Sequence, residues 1–193
     1  MPDRYAACLG LEQAADRIRG HQNSCVPGLL QTEDYARALL RATHPGASAE
    51  ATERRVALRM RRQRLLAGAE LPPVWVVLDE TVLPRTVGGP GVMRAQIDHL
   101  VEIARLPQVT VRLMPFAHGP HPAMPAAAYH HFRFRARELP DIVYVDGLLG
   151  AVHLDKPEHV EPCREGLNRL ATQAPPATRT ASLLGAIRAE LQG

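Results

Sequence analysis

Lysine is almost missing from this chain. Lys156 is the single example, and every other basic side chain is arginine. Most arginine codons are rich in G and C, so the bias points to a GC-rich genome. It also warns against reading each guanidinium as chosen for its chemistry. Cysteine is scarce too. Cys8, Cys25 and Cys163 are odd in number, far apart, and form no C-x-x-C pair. That excludes a disulfide framework and points to a reducing compartment. No run of eighteen apolar residues occurs, and Met1-Pro2-Asp3-Arg4 opens without an apolar signal core. On that reading the chain is neither exported nor membrane-spanning, and a cytoplasmic protein is expected.

Familiar catalytic signatures are absent as well. There is no G-x-S-x-G, no phosphate-binding Gly-Lys-Ser/Thr loop, no H-E-x-x-H, and no G-x-G-x-x-G after a strand. Repeats and low-complexity tracts are also lacking. The formal net charge of +3 with nine neutral histidines is mild. It falls short of the basic stripe of a nucleic-acid binder, so direct DNA binding is not expected.

What remains is globular. With 193 residues, 46% of them hydrophobic and 22% charged, the chain fits one domain that can bury a sizeable core. The reading is a single effector-like domain over 1–193. Its parts are a helical region (1–70), a β-α-β unit with antiparallel strands (71–155), and C-terminal helices (156–193). The fold class is therefore α/β, with N-terminal helices packed on a mixed sheet.

Local signals support those parts. Tyr5 to Arg19 is rich in Ala, Leu and Glu and reads as a helix stopping at Gly20. Thr32 is placed to cap a helix that runs to about Ala42, with Glu33 and Asp34 at its positive end. A longer helix is expected from Ser48 to about Ala67. At 100° per residue, Arg54, Arg61 and Arg64 share one side and read as solvated. Arg59, Arg62, Gln63 and Leu66 share another at the spacing of a buried stripe, so Arg59 and Arg62 should face an acid inside the fold.

Pro72-Pro73 ends the helical region, and Val74 to Leu78 reads as a buried strand with Asp79-Glu80 at its end. A helix carrying Met93, Ile97, Leu100 and Ala104 follows the Gly88-Gly89-Pro90-Gly91 loop, and Val109 to Leu113 is the next strand. That β-α-β unit should be parallel and right-handed. Strands are expected at 129–134, 142–145 and 151–154. Asp155-x-x-Glu158 with Pro157 resembles a capping box opening a helix to about Thr172. A last helix spans about Thr178 to Leu191.

Several blocks together carry a resemblance. They are Val26-Pro27-Gly28-Leu29-Leu30-Gln31-Thr32-Glu33-Asp34-Tyr35-Ala36-Arg37, Arg59-x-x-Arg62-Gln63, Leu78-Asp79-Glu80 and Val87-Gly88-Gly89. The others are Met93-Arg94-Ala95-Gln96-Ile97-x-x-Leu100, Leu113-Met114-Pro115-Phe116, Gly119-x-His121-Pro122 and Val143-Tyr144-Val145. In this order they resemble the actinobacterial domain of unknown function that follows an Xre-type (λ-repressor-like) helix-turn-helix. The resemblance implies an effector half of a regulator, often encoded beside a small partner protein. The helix-turn-helix itself is expected to be missing here, since the chain starts directly in the effector half. Against the family pattern, Cys25, His118, the His130–His131 pair and the Ala123–Ala128 insert stand out.

Chemistry concentrates on a few residues. Cys25, before the apolar turn, is a candidate nucleophile or haem thiolate, or simply a small core residue. Glu80 is a candidate base at a strand's carboxyl end, or an ion-pair partner of Arg59 or Arg62. His118-x-x-His121 offers a metal site, or only a cluster of surface histidines; His130 and His131 point to opposite faces and cannot easily share one ion. Tyr129 and Trp75 read first as core, and Tyr129 also joins the candidate ligand-binding set of Arg59, Arg62, Glu80 and His121. The leading function is a module binding a small-molecule ligand or small partner protein, with a homodimer as a further possibility. The rival is a stand-alone biosynthetic enzyme using haem or a transition metal, through Cys25 or the histidines. Phosphate contacts by Arg54, Arg61 and Arg64 make a third, DNA-binding reading.

Overall fold

The computed structural model describes residues 4–63, 72–136, 138–147 and 150–191. Six strands make one sheet: β1 (Ala15–Gln22), β2 (Val74–Asp79), β3 (Val109–Met114), β4 (Tyr129–Phe134), β5 (Ile142–Gly147) and β6 (Gly150–Leu154). The helices are α1 (Arg4–Ala14), α2 (Glu33–Thr43), α3 (Ala49–Gln63), α4 (Pro90–Ile103), α5 (Pro157–Gln173) and α6 (Thr180–Glu190). The α/β class and the mixed sheet with its β-α-β unit match the expectation. Arg64 and Leu66, placed on the third helix by periodicity, lie outside the described residues.

The strand order is β3-β2-β1-β4-β5-β6. β2 and β3 pair in parallel, Val76 opposite Val111, with α4 as their crossover. β1 lies parallel to β2 on one side and antiparallel to β4 on the other, so His21 faces both Val77 and Tyr129 across its pairs. β4, β5 and β6 continue antiparallel.

β1 corrects the sequence reading. The helix expected over Tyr5–Arg19 ends at Ala14, and the next eight residues form a strand in the middle of the sheet. Its sequence, ADRIRGHQ, has a single β-branched residue, so local propensity gave no strand signal. Pairing on both edges satisfies its backbone groups, and that tertiary gain outweighs propensity. Gly20 assists, because a Cβ there would come within 2.9 Å of His130 Nδ1.

Alternation along the strands sorts two cores. Val74, Val76, Leu78, Val111, Leu113 and Phe132 pack with Tyr35, Met93, Ile97, Leu100 and Leu184, beneath α2, α4 and α6. Val77, Met114, Tyr129 and Val143 pack with Val160, Leu167 and Leu170 of α5 on the other face. Fully burying one such aliphatic side chain contributes about 1.5–3 kcal/mol, so both faces matter to stability.

Helix ends follow local chemistry. Thr32 Oγ1 accepts from Tyr35 N at 3.3 Å, as its cap position predicts. The expected Asp155–Glu158 box does not form. Lys156 is the cap residue without a side-chain bond, and Pro157, whose fixed φ suits a first helical turn, opens α5. α6 begins at Thr180, whose buried hydroxyl donates to Val111 O at 2.7 Å and ties the helix to β3. Among the described residues, no helix is long and apolar enough to cross a membrane.

Candidate functional site

The arginine stripe of α3 is buried as expected, and the structure supplies its partners. Arg62 makes a two-pronged contact with Glu12 of α1, its Nε donating to Oε2 at 2.9 Å and its Nη2 to Oε1. Both side chains are almost fully buried. Burial outweighs the attraction of Arg62 and raises the Glu12 carboxyl. Burial opposes the Arg62 charge too, but Glu12 and its hydrogen bonds raise the guanidinium, which stays protonated. Burial pushes the neighbouring Cys8 thiol up to about 12, with the Glu12 charge adding to it.

Arg59 and Gln63 hold the apolar turn in place. Arg59 Nη1 donates to Gln31 Oε1 at 2.6 Å. Gln63 Nε2 donates to Gly28 O at 2.9 Å and Gln31 O at 2.5 Å. Gln31 Nε2 donates to Val26 O at 2.6 Å, and Val26 N donates to the Tyr35 hydroxyl at 3.2 Å. The Val26–Thr32 block is thus a hub of side chain to backbone bonds. Arg59 and Arg62 therefore lie on the helical side of the sheet. Glu80 does not complete them: its Oε2 accepts from Phe116 N at 2.7 Å. The expected pairing of Glu80 with Arg59 or Arg62 gives way to Glu12 and Gln31.

A different constellation gathers on the α5 side, at the carboxyl ends of β1 and β2. Such ends are where open α/β sheets bind ligands. His21 is the penultimate residue of β1, Asp79 ends β2, and His121 comes from the loop before β4. His121 Nε2 lies 2.9 Å from Asp79 Oδ2, while Asp79 Oδ1 accepts from Thr81 N at 2.9 Å. Burial alone would raise the Asp79 carboxyl, but the bonds from Thr81 and His121 hold it below the usual carboxylate range. His21 is wholly buried, and neither of its ring nitrogens has a hydrogen-bond partner. Burial pulls it down to about 4, with His121 adding to the effect. Its ring meets that of His121 edge-on, 5.8 Å between centroids. One donor atom from each of His21, Asp79 and His121 lies within 4.8 Å of the others.

Beside this group is a cavity of ≈ 320 Å³, lined by Pro122, Ala123, Tyr129, Val145, Cys163 and Gly166 among others. Tyr129, 6.3 Å from His21 between centroids, spans the two features. Its hydroxyl donates to Cys163 O at 3.0 Å. Gly166 permits that approach, since a Cβ there would lie 3.1 Å from the Tyr129 oxygen.

The other candidates scatter. Cys25 is half-buried at the turn, and His118 is exposed, outside the donor group. His130 and His131 do face opposite sides. His131 Nε2 lies 2.9 Å from Asp141 Oδ2 beneath α5. His130 Nε2 sits 2.9 Å from Gln22 Nε2 on the helical side. Arg54 pairs with Glu50 on the surface.

The domain of unknown function DUF5753 matches residues 5–186. The chain belongs to that family. No curated protein and no solved structure matches it. His21 of this DUF5753 domain was invisible to sequence reasoning, because the strand that carries it reads as helix up to Arg19 and as no element after Gly20. A faint signal existed: in β1, Arg19 and His21 alternate with Ile18 and Gly20, a period of two that the alanine-rich start masks.

His130 gives the DUF5753 domain an acid-sensitive group away from that cluster. Its ring stacks on Phe132, its Nδ1 is buried without a partner, and the Arg62 charge faces it. Burial first, then Arg62, pulls it to about 4 from its ordinary 6.5. A lowered folded value favours the neutral ring, so the stability is complete above pH 6.5 and drains away as pH falls toward 4. The wild type should lose about 3 kcal/mol more than His130→Gln over that window, measured by urea unfolding at each pH. Equal losses in both proteins would refute the assignment.

Proposed function

We propose that this DUF5753 domain is a ligand-binding effector module, acting in the cytoplasm as part of a regulatory system of the actinobacterial Xre-type class. The sequence resemblance supplies the regulatory context. The observation that carries the binding role is the cavity between the 122–129 segment and α5, whose mostly small, apolar lining ends in the Tyr129 hydroxyl. Its ≈ 320 Å³ lies at the lower end of small-molecule sites, which fits a ligand of about two fused rings. Binding there would press on α5 and on β4 together. The signal then passes to a small partner protein or a second copy of the chain.

The test uses 1-naphthol, an apolar two-ring probe with one polar group. Amide shifts in NMR should move for Ala126, Tyr129 and Gly166, and alkylation of Cys163 by iodoacetamide should slow several-fold. Ala127→Trp, at an exposed position on the cavity rim, should abolish both. Shifts that survive Ala127→Trp, or that spread without focus, would dismiss the cavity as the ligand site.

An enzyme reading has one observation in its favour, the grouping of His21, Asp79 and His121. Glu80 lies outside that group, with its Oε2 accepting from Phe116 N.

A further inference from the structure

We propose that His21, Asp79 and His121 form a binding site for a divalent transition-metal ion, with zinc the best match to the donors and the fourth position open. The site does not depend on whether the neighbouring cavity takes a ligand.

The donor chemistry comes first. Two imidazoles and one carboxylate make a set that zinc uses where three protein ligands leave one position for water or substrate. The same set disfavours magnesium and calcium, which prefer oxygen throughout. The three donors also come from three separate elements. β1 and β2 are neighbouring parallel strands with His21 opposite Val77, so Asp79, two residues further along β2, lies on the same face of the sheet as His21. The loop that follows β3 then brings His121 over them.

Geometry agrees. Zinc bonds of about 2.0–2.1 Å place two ligands of one tetrahedral ion roughly 3.3 Å apart. The 2.9 Å between His121 Nε2 and Asp79 Oδ2 is close to that edge. His21 is the distant member, and all three atoms still fall within 4.8 Å of one another. Asp79 is held for the task by its other oxygen, which Thr81 N occupies. Orienting bonds of this kind to a ligand's second atom are typical around bound metals.

His21 is the decisive residue. It is 0% exposed, and both ring nitrogens are buried without a protein partner. Buried polar groups are nearly always satisfied, so such a group demands an explanation. The two histidines of β4 make the contrast, since each has one ring nitrogen beside a partner, His131 Nε2 with Asp141 and His130 Nε2 with Gln22, whereas His21 has none. His121 Nδ1 is likewise buried and unpartnered. Two imidazoles with spare nitrogens beside a carboxylate hold a cation well and hold little else. Asp79, 13% exposed at its side chain, is the least buried of the three and marks the side from which an ion enters.

The full chain, stripped with a chelator, would be titrated with Zn(II) against a chromophoric competitor, and with Co(II) for its visible spectrum. One ion should bind per chain. Cobalt should give the strong visible bands of a four-coordinate site with no thiolate charge transfer. His21→Ala should weaken zinc by more than about 100-fold, the upper range for changes even one shell further out. Asp79→Asn, nearly the same shape, should do likewise while circular dichroism stays native. His118→Ala, at the exposed histidine, should change nothing. Absence of stoichiometric binding, binding untouched by Asp79→Asn, or loss on His118→Ala would each overturn the site. If His21→Ala does not fold, Asp79→Asn still decides.

Discussion

Replacing Arg62 with methionine should destabilise the protein by about 3–5 kcal/mol, read from urea unfolding followed by circular dichroism. The reason lies with the residue left behind. Glu12 and Arg62 are each only 6% exposed at their side chains. Taking two charges out of water is expensive, and their mutual attraction roughly offsets that expense. Removing one leaves the other desolvated and alone. Glu12 would then protonate or drag water inward, and either response lowers stability. The double variant Glu12→Leu/Arg62→Met should recover most of the loss, since a well-packed apolar pair often equals a buried ion pair. Arg54→Met is the control. Its partner Glu50 is 82% exposed, and such surface pairs contribute about 0–1 kcal/mol. An Arg62→Met loss as small as the control's would mean that the buried pair is not the anchor between α1 and α3.

Gln96→Leu should cost about 2–5 kcal/mol, although it swaps an amide for an apolar side chain inside the core. Gln96 is fully buried on α4, and its amide serves the Val26–Thr32 turn twice. Nε2 donates to Leu30 O at 2.7 Å, and Oε1 accepts from Thr32 N at 2.7 Å. Leucine would abandon both backbone groups, each at about 1–3 kcal/mol of desolvation. Gln96→Glu can keep both bonds only while its carboxyl is protonated, so it should fall between wild type and Gln96→Leu at low pH and lose at least as much as Gln96→Leu at high pH, where a buried carboxylate would face the Leu30 carbonyl. Hydrogen exchange adds a local readout, because the Thr32 amide should lose protection in Gln96→Leu. Unchanged stability would mean that the turn finds other partners.

Much of this fold was written in local signals. Val74–Leu78 and Val109–Leu113 read as strands because β-branched runs bury on both faces. α4 read as a helix because Met93, Ile97 and Leu100 repeat at helical spacing. The polar interior was half legible. Periodicity put Arg62 inside and required an acid there, but the acid, Glu12, is distant in sequence and spacing could not find it. His121 stood out by its spacing from His118, whereas Asp79 drew notice only as the strand-end neighbour of Glu80, the residue that stood out there. His21 did not stand out, because a strand defined by its neighbours leaves little trace in its own residues. The same limit explains Glu80, whose strand-end position suggested an arginine partner until a loop amide proved nearer.

The central place of β1 has a consequence for synthesis. Of the six strands of this sheet it is made first, yet its parallel neighbour starts at Val74 and its antiparallel neighbour at Tyr129. A nascent chain that has reached only Val109 can pair one edge of β1 and must leave the other open. Open edges recruit foreign strands. Translation pauses before Phe134 should therefore be the stage at which this protein most needs a chaperone.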